Sequence, residues 1–218
     1  MTRADALLAI QEQEKQQLSE MCPQLPVILT KHACNIPLYS PSSPDSFEIL
    51  YVGNMYEPNR IGLEQFITKT WPLIRKAEPR TNLLVCGRLA ELVKVSSEGV
   101  EFVGGVDDLS TYYRRSAAVI NPVPFGSGLK IKSVEALIYG RVLISTRAGV
   151  LGLETEDELP VLICEHGESM ANQIIKTLHD EPFRLSLEKR SQEYARKWFR
   201  PGIVYSELTK FLVEHTTT

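Results

Sequence analysis

The chain has 218 residues, with 24 lysines and arginines against 27 aspartates and glutamates, a formal net charge of −3. That balance gives no electrostatic reason to expect nucleic acid or anionic lipid as the main partner. Hydrophobic residues make up 43% and charged residues 23%, enough apolar content for a good core, and no apolar run approaches the length of a bilayer span.

In chain order, Ala4–Cys22 sets Ala6, Leu7, Ile10 and Leu18 among glutamines and glutamates, which predicts an amphipathic helix closed by Pro23. Val27-Ile28-Leu29 predicts a short strand. Residues 32–46, with Pro37, Pro41, Pro44 and four serines, predict a loop or linker. From Phe47 onward strands and helices alternate. Strands are predicted over 47–52, 81–86, 100–103, 117–121, 141–145 and 160–164. Helices are predicted over 60–77, 88–95, 107–115, 128–139, 167–180, 182–198 and 201–214. The alternation predicts an α/β fold, a Rossmann-like parallel sheet covered by helices on both faces, with helices closing the C-terminal end.

The four cysteines (Cys22, Cys34, Cys86, Cys164) show no metal-ligand spacing, and Cys86 and Cys164 fall inside apolar strands, as small buried thiols do. With no signal-peptide pattern at the N-terminus, a reducing, cytoplasmic setting is expected. There is no Asp-x-Asp and no His/Asp cluster, so no metal is expected. His32 stands alone in the linker. His166, His179 and His215 are expected on the surface or in the tail.

The most informative segment is Phe125–Gly149. Gly126-Ser127-Gly128 permits a close approach of backbone to ligand. The helix that follows points its free N–H groups and positive dipole end at that turn. Lys130 and Lys132 add two charges in the first turn, where a bound phosphate or diphosphate would offset their cost to the helix. Val134, Ala136, Leu137 and Ile138 bury one helix face and leave Glu135 as an acid in an apolar run, and Gly140 is a C-cap before Val142-Leu143-Ile144. Strand, loop, helix, strand in that order puts the glycine turn at the carboxyl edge of the sheet, where ligands of open α/β sheets bind.

The segment resembles the donor-binding half of group 1 (family 4) retaining glycosyltransferases, which have two facing Rossmann-like domains (GT-B). The matching features are Gly126-Ser127-Gly128, Glu135-Ala136, Gly140 and Arg141-Val142, preceded in order by three further blocks. These are Phe47–Gly53 with Pro58-Asn59 and Gly62-Leu63; Trp71-Pro72-Leu73-Ile74 and Pro79 with Leu83–Gly87-Arg88; and Val100–Val103 with Gly105–Leu109 and Tyr112-Tyr113. The resemblance covers roughly Ser46 to Val213.

The resemblance implies that the chain binds a nucleotide diphosphate sugar as donor substrate, without a further cofactor, for transfer with retention of configuration. Glu135 would hold the ribose hydroxyls, since a carboxylate accepts two hydrogen bonds from a vicinal diol. Lys130, Lys132 and the backbone of Gly128 and Leu129 would take the diphosphate. Ser127 and Gly126 would face the donor sugar. Gly105, Val106 and Asp107, with Arg88, would rim the base pocket. The sequence departs from the family pattern where Ser127 replaces a glutamate eight positions before Glu135. It departs again where Asn54 and Asn59 replace an arginine and a lysine, with Arg60 close enough in sequence to contribute.

The resemblance also implies that residues 1–45 are the end of an N-terminal domain and a linker, and that 46–218 form the nucleotide-sugar-binding domain. A separate acceptor-binding domain or subunit is then the expected partner, whether the chain is a fragment, a truncated product or one subunit. Two alternatives remain open: a non-catalytic nucleotide-sugar-binding subunit, and an epimerase-like protein of the same architecture. A flavodoxin-like signalling domain ranks last, because Tyr56-Glu57 is a poor acidic cluster after the first strand. A role in cell-surface polysaccharide biosynthesis is a base-rate expectation from the range of acceptors.

Overall fold

The computed structural model describes residues 4–153 and 158–216; residues 1–3 and 217–218, at the ends of the two expected segments, lie outside them. In order come β1 (Leu7–Ala9), α1 (Glu12–Met21), β2 (Val27–Leu29), β3 (Glu48–Val52) and α2 (Glu57–Gln65). A π-helical turn (Phe66–Thr70) joins α2 to α3 (Trp71–Ala77). Then follow β4 (Asn82–Cys86), β5 (Val100–Gly104), α4 (Ser110–Arg115), β6 (Ala118–Asn121), α5 (Ile131–Ile138), β7 (Val142–Ser145) and β8 (Val161–Ile163). The C-terminal helices are α6 (Glu168–His179), α7 (Glu181–Trp198), α8 (Pro201–Val204) and α9 (Ser206–Thr216).

β3 to β8 form one parallel sheet in the order β5-β4-β3-β6-β7-β8. Alternate residues of each strand feed opposite layers. Ile49 and Tyr51 join Leu63, Phe66, Trp71 and Ile74 on the face covered by α2, α3 and α6. Leu50 joins Tyr113, Val134, Leu137 and Ala195 on the face covered by α4, α5 and α7. Both layers are needed to cover a parallel sheet, and the expected α/β architecture is present.

The expected helix from Ala4 begins late. Leu7–Ala9 is instead a strand, pairing in parallel with β2 in the register Leu7 with Val27 and Ala9 with Leu29. Ala9 is fully buried there, whereas α1 buries none of its residues. Of the apolar residues that made the helical pattern, Leu7 goes to this small second sheet, and only Leu18 lies in α1. Glu14 marks the true helix start, accepting the Ile10 N–H at 2.8 Å. Lys15 reaches Glu207 of α9 at 3.4 Å.

The linker over 32–46 is irregular, as expected, but tightly held. The fully buried Glu188 carboxylate of α7 accepts from the Tyr39 hydroxyl and the Ser42 N–H, both at 3.1 Å. Arg141, also fully buried, lies 3.5 Å from Glu188 and donates to the Ser40 carbonyl. Gln192 donates to the Pro37 carbonyl at 3.0 Å and Arg184 to that of Ser43 at 3.2 Å. Burial and the neighbouring Glu188 charge push the Tyr39 hydroxyl up to about 12.

Candidate functional site

Strand order reverses between β3 and β6, so the loops leaving their carboxyl ends diverge and open a crevice. A cleft of about 400 Å³ lies there, walled by Gly53, Asn54 and Asn59 on the β3 side and by Val123, Phe125 and the start of α5 on the β6 side. The walls approach closely because Gly62 of α2 lies under the loop after β6, where a Cβ would sit 2.6 Å from the Pro122 carbonyl oxygen.

The start of α5 is fixed by a buried polar network. Asn121 Nδ2 donates to Ser133 Oγ at 2.8 Å and to the Gly149 carbonyl at 3.1 Å, and Ser133 Oγ donates to the same carbonyl at 2.7 Å. Leaving one such group unsatisfied costs about 1–3 kcal/mol. Residue 149 must be glycine, since a Cβ would meet Ser145 Oγ at 2.2 Å. The far end of α5 closes as a Schellman motif, with Arg141 N–H on the Ala136 carbonyl, Gly140 N–H on that of Leu137, and Gly140 at φ +63°.

Held this way, α5 presents Lys132 and Glu135 to the cleft, three residues apart on one helix face. Lys132 Nζ donates to Asn59 Oδ1 at 2.7 Å and to the Tyr51 hydroxyl at 3.2 Å, 4.5 Å from the centre of the Tyr51 ring. Asn59 is oriented in turn, its Nδ2 donating to the Asn54 carbonyl at 3.1 Å. Burial, with the Lys130 charge adding to it, lowers the Lys132 ammonium to about 7. No carboxylate pairs with it among the described residues.

Lys130 is the N-cap residue of α5, and its Nζ donates to the Ser127 carbonyl at 2.6 Å, closing the glycine loop on itself. Gly126 and Gly128 take φ +129° and +79°, a region closed to most side chains. Ser127, Leu129 and Lys130 line the cleft, while Gly126 and Gly128 line a neighbouring hollow with Gln11, Glu12 and Leu151; Ser127 borders both. Glu135 Oε2 accepts from the Tyr113 hydroxyl at 2.9 Å, and Tyr113 stacks on Tyr139, centroids 4.7 Å apart and planes 6° apart.

Other residues singled out in the sequence fall elsewhere. Arg88 lies beside Gly105, yet neither lines the cleft, and the same holds for Val106 and Asp107; Leu109 is the residue of that loop region that does. Arg88 lies 3.4 Å from Glu91, and Val106 packs against the core. Arg60 is engaged by Glu57 and Glu64 on its own helix and is absent from the cleft wall. His166, expected at the surface, is half-buried, with Nε2 2.9 Å from the Pro122 carbonyl. The sequence reading did not single out Tyr51 for the site. It sits in an apolar strand run, and a hydroxyl at the strand's last turn inward was the only signal.

Among the described residues, no group of three His, Cys, Asp or Glu side chains is placed to hold a metal, and no helix is long and apolar enough to cross a membrane.

This parallel sheet with a crevice at its switch point is one half-domain of the GT-B glycosyltransferase fold. TarM of S. aureus superposes with a TM-score of 0.74 at 14% identity, over 97% of this chain and 43% of that one. HepE of Anabaena, solved with UDP-glucose, gives 0.67 at 17% identity, over 97% and 64%. An uncharacterized 44.6 kDa protein in the cps region of Klebsiella pneumoniae is 27% identical over 158 residues, 65% of this chain and 41% of that protein. The chain thus spans about two fifths of the length of that curated relative. The family model for glycosyl transferases group 1 matches residues 46–180, more than half of the chain, and the protein belongs to that family.

Proposed function

We propose that the chain forms the donor-binding part of a retaining glycosyltransferase whose substrate is a nucleotide diphosphate sugar. One observation carries the reading. The Lys132 ammonium, withdrawn from water on the cleft wall, has acceptors but no carboxylate counter-ion among the described residues, and lies three residues from a carboxylate on the same helix face. A cation so placed favours an anionic ligand, and the adjacent acid favours one that also carries hydroxyls. A nucleoside diphosphate has both. HepE, solved with UDP-glucose, has this fold and supports the same class of ligand.

In this reading Lys132, Lys130 and the N–H groups of Gly128 and Leu129 bind the diphosphate, and Glu135 accepts from the ribose hydroxyls. The base extends toward Leu109. The sugar lies by Ser127 and Gly126. The bond from the sugar to the diphosphate oxygen breaks, a bond from the same carbon to an acceptor hydroxyl oxygen forms with configuration kept, and the hydroxyl proton passes to the leaving diphosphate. Negative charge gathers on the leaving diphosphate, where fixed cations and N–H dipoles stabilise it; one such contact is worth about 3 kcal/mol, roughly a hundredfold in rate. The acceptor is bound by a partner domain or subunit, which fits the length of the relatives.

Calorimetric titration of the chain with UDP, GDP and ADP, then with the matching sugar nucleotides, tests the proposal. Saturable binding that favours one base is expected. Absence of binding to all three at millimolar concentration overturns it.

A further inference from the structure

Lys132 and Glu135 each meet the hydroxyl of one buried tyrosine, Lys132 alongside Asn59 Oδ1, and the two tyrosines come from opposite layers of the core. Tyr51 reaches up from the layer under α2 and α3, and Tyr113 from the layer under α4, α5 and α7. Both are fully buried apart from the contacts of their hydroxyls. The polarity of the two bonds is opposite. Tyr51 gives its proton to the Asn59 carbonyl at 3.2 Å, which leaves its lone pair to accept from Lys132 at 3.2 Å. Tyr113 gives its proton to Glu135 Oε2 at 2.9 Å. Burial, and then the Glu135 charge, pushes the Tyr113 hydroxyl well up, so it stays a donor.

We infer that Tyr51 and Tyr113 are positioning residues that set two separate specificities of the cleft: Tyr51, through Lys132, for the diphosphate, and Tyr113, through Glu135, for the ribose hydroxyls. This rests on the donor-binding reading above. A lysine has three rotatable donors and a flexible stem, so one acceptor, Asn59 Oδ1, leaves it free to swing, and the Tyr51 hydroxyl is the second point that fixes its direction. Glu135 has one oxygen committed to Tyr113, and Oε1 has no hydrogen-bond partner among the described residues. The carboxylate is therefore locked in plane and offers a defined edge to a diol. Filling space alone asks only for an aromatic ring at each position. Both tyrosines are equally buried in large apolar clusters, and the hydroxyls distinguish the two roles.

The test uses wild type, Tyr51→Phe and Tyr113→Phe, with three ligands of the base that wild type prefers. These are the nucleoside diphosphate, the monophosphate, and the 2′,3′-dideoxy diphosphate. Tyr51→Phe is expected to cut the preference for diphosphate over monophosphate by about tenfold and leave the preference for ribose unchanged. Tyr113→Phe is expected to do the reverse. Equal weakening toward all three ligands, or unchanged preferences, overturns the inference. In a Glu135→Ala background Tyr113→Phe should have no further effect on the ribose preference, and in a Lys132→Met background Tyr51→Phe should have none on the diphosphate preference; an undiminished effect in either overturns action through that partner. A wild type that shows neither preference overturns the donor reading itself. A wild type that shows both, with variants that keep both, overturns only the positioning roles.

Discussion

Asn59 Oδ1 accepts a hydrogen bond from Lys132 Nζ at 2.7 Å, across 73 positions of sequence. Asn59 is one of the positions where the chain departs from the pattern of the family it resembles, having an amide in place of a lysine. The amide does not supply charge. It aims a charge that comes from another helix, and a lysine at 59 would set two cations on the same spot. The departure and Lys132 therefore belong to one arrangement.

Replacing Lys132 with alanine should weaken nucleoside diphosphate binding by about 2 kcal/mol, roughly thirtyfold, the worth of a charge-assisted bond. Arg196→Ala, on an exposed turn of α7, should leave affinity unchanged. Calorimetric Kd values for the two variants check this, and equal values would remove Lys132 from the phosphate site.

Binding should depend on pH with a definite sign. Burial lowers Lys132 to about 7 in the free protein, so the ammonium is half deprotonated near neutrality. A diphosphate beside it favours the charged form and raises that value. Complex formation near pH 7 then takes up a proton. Affinity should be greatest below pH 7 for a ligand of constant charge and fall up to about tenfold per unit above it. Calorimetry at one pH in buffers of different ionisation enthalpy checks the proton uptake, and the slope should vanish in Lys132→Met.

Glu188→Ala should destabilise the protein by about 3–5 kcal/mol, because it strands Arg141 as a buried charge without its partner. It also releases Tyr39 and Ser42. Denaturant unfolding gives the stability loss, and limited proteolysis should show new cleavage between Pro37 and Ser43.

Much of the fold was legible because its signals are local. The β/α alternation, Gly140 as a helix stop and the apolar strands need only neighbours in sequence. Lys132 was legible as a candidate because a glycine turn precedes it at a helix start, and Glu135 through the resemblance. What was not legible depends on distant partners. Leu7–Ala9 is three residues long, too short for a period of two to show, and its pairing partner begins at Val27. Tyr51 and Tyr113 were not legible as site residues, because each ring is buried in an apolar layer and only the hydroxyl reaches Lys132 or Glu135. Arg88 and Gly105–Asp107 were expected through the resemblance; none of them lines the cleft in this structure, where Arg88 lies 3.4 Å from Glu91 and Val106 packs against the core.

The π-helical turn at Phe66–Thr70 ties these parts to chain length. It takes up one residue more per turn than the α-helix on either side, so it sets the rotational phase of α2 against α3. Gly62 faces Pro122 and Thr70 Oγ1 accepts the Gly167 N–H at 2.8 Å only in that phase. Losing one residue here would turn α2 by roughly 100° relative to α3 and swing Gly62 away from the loop it fits under. Substitutions along this helix are a matter of side-chain fit, but its residue count is fixed by the cleft it supports.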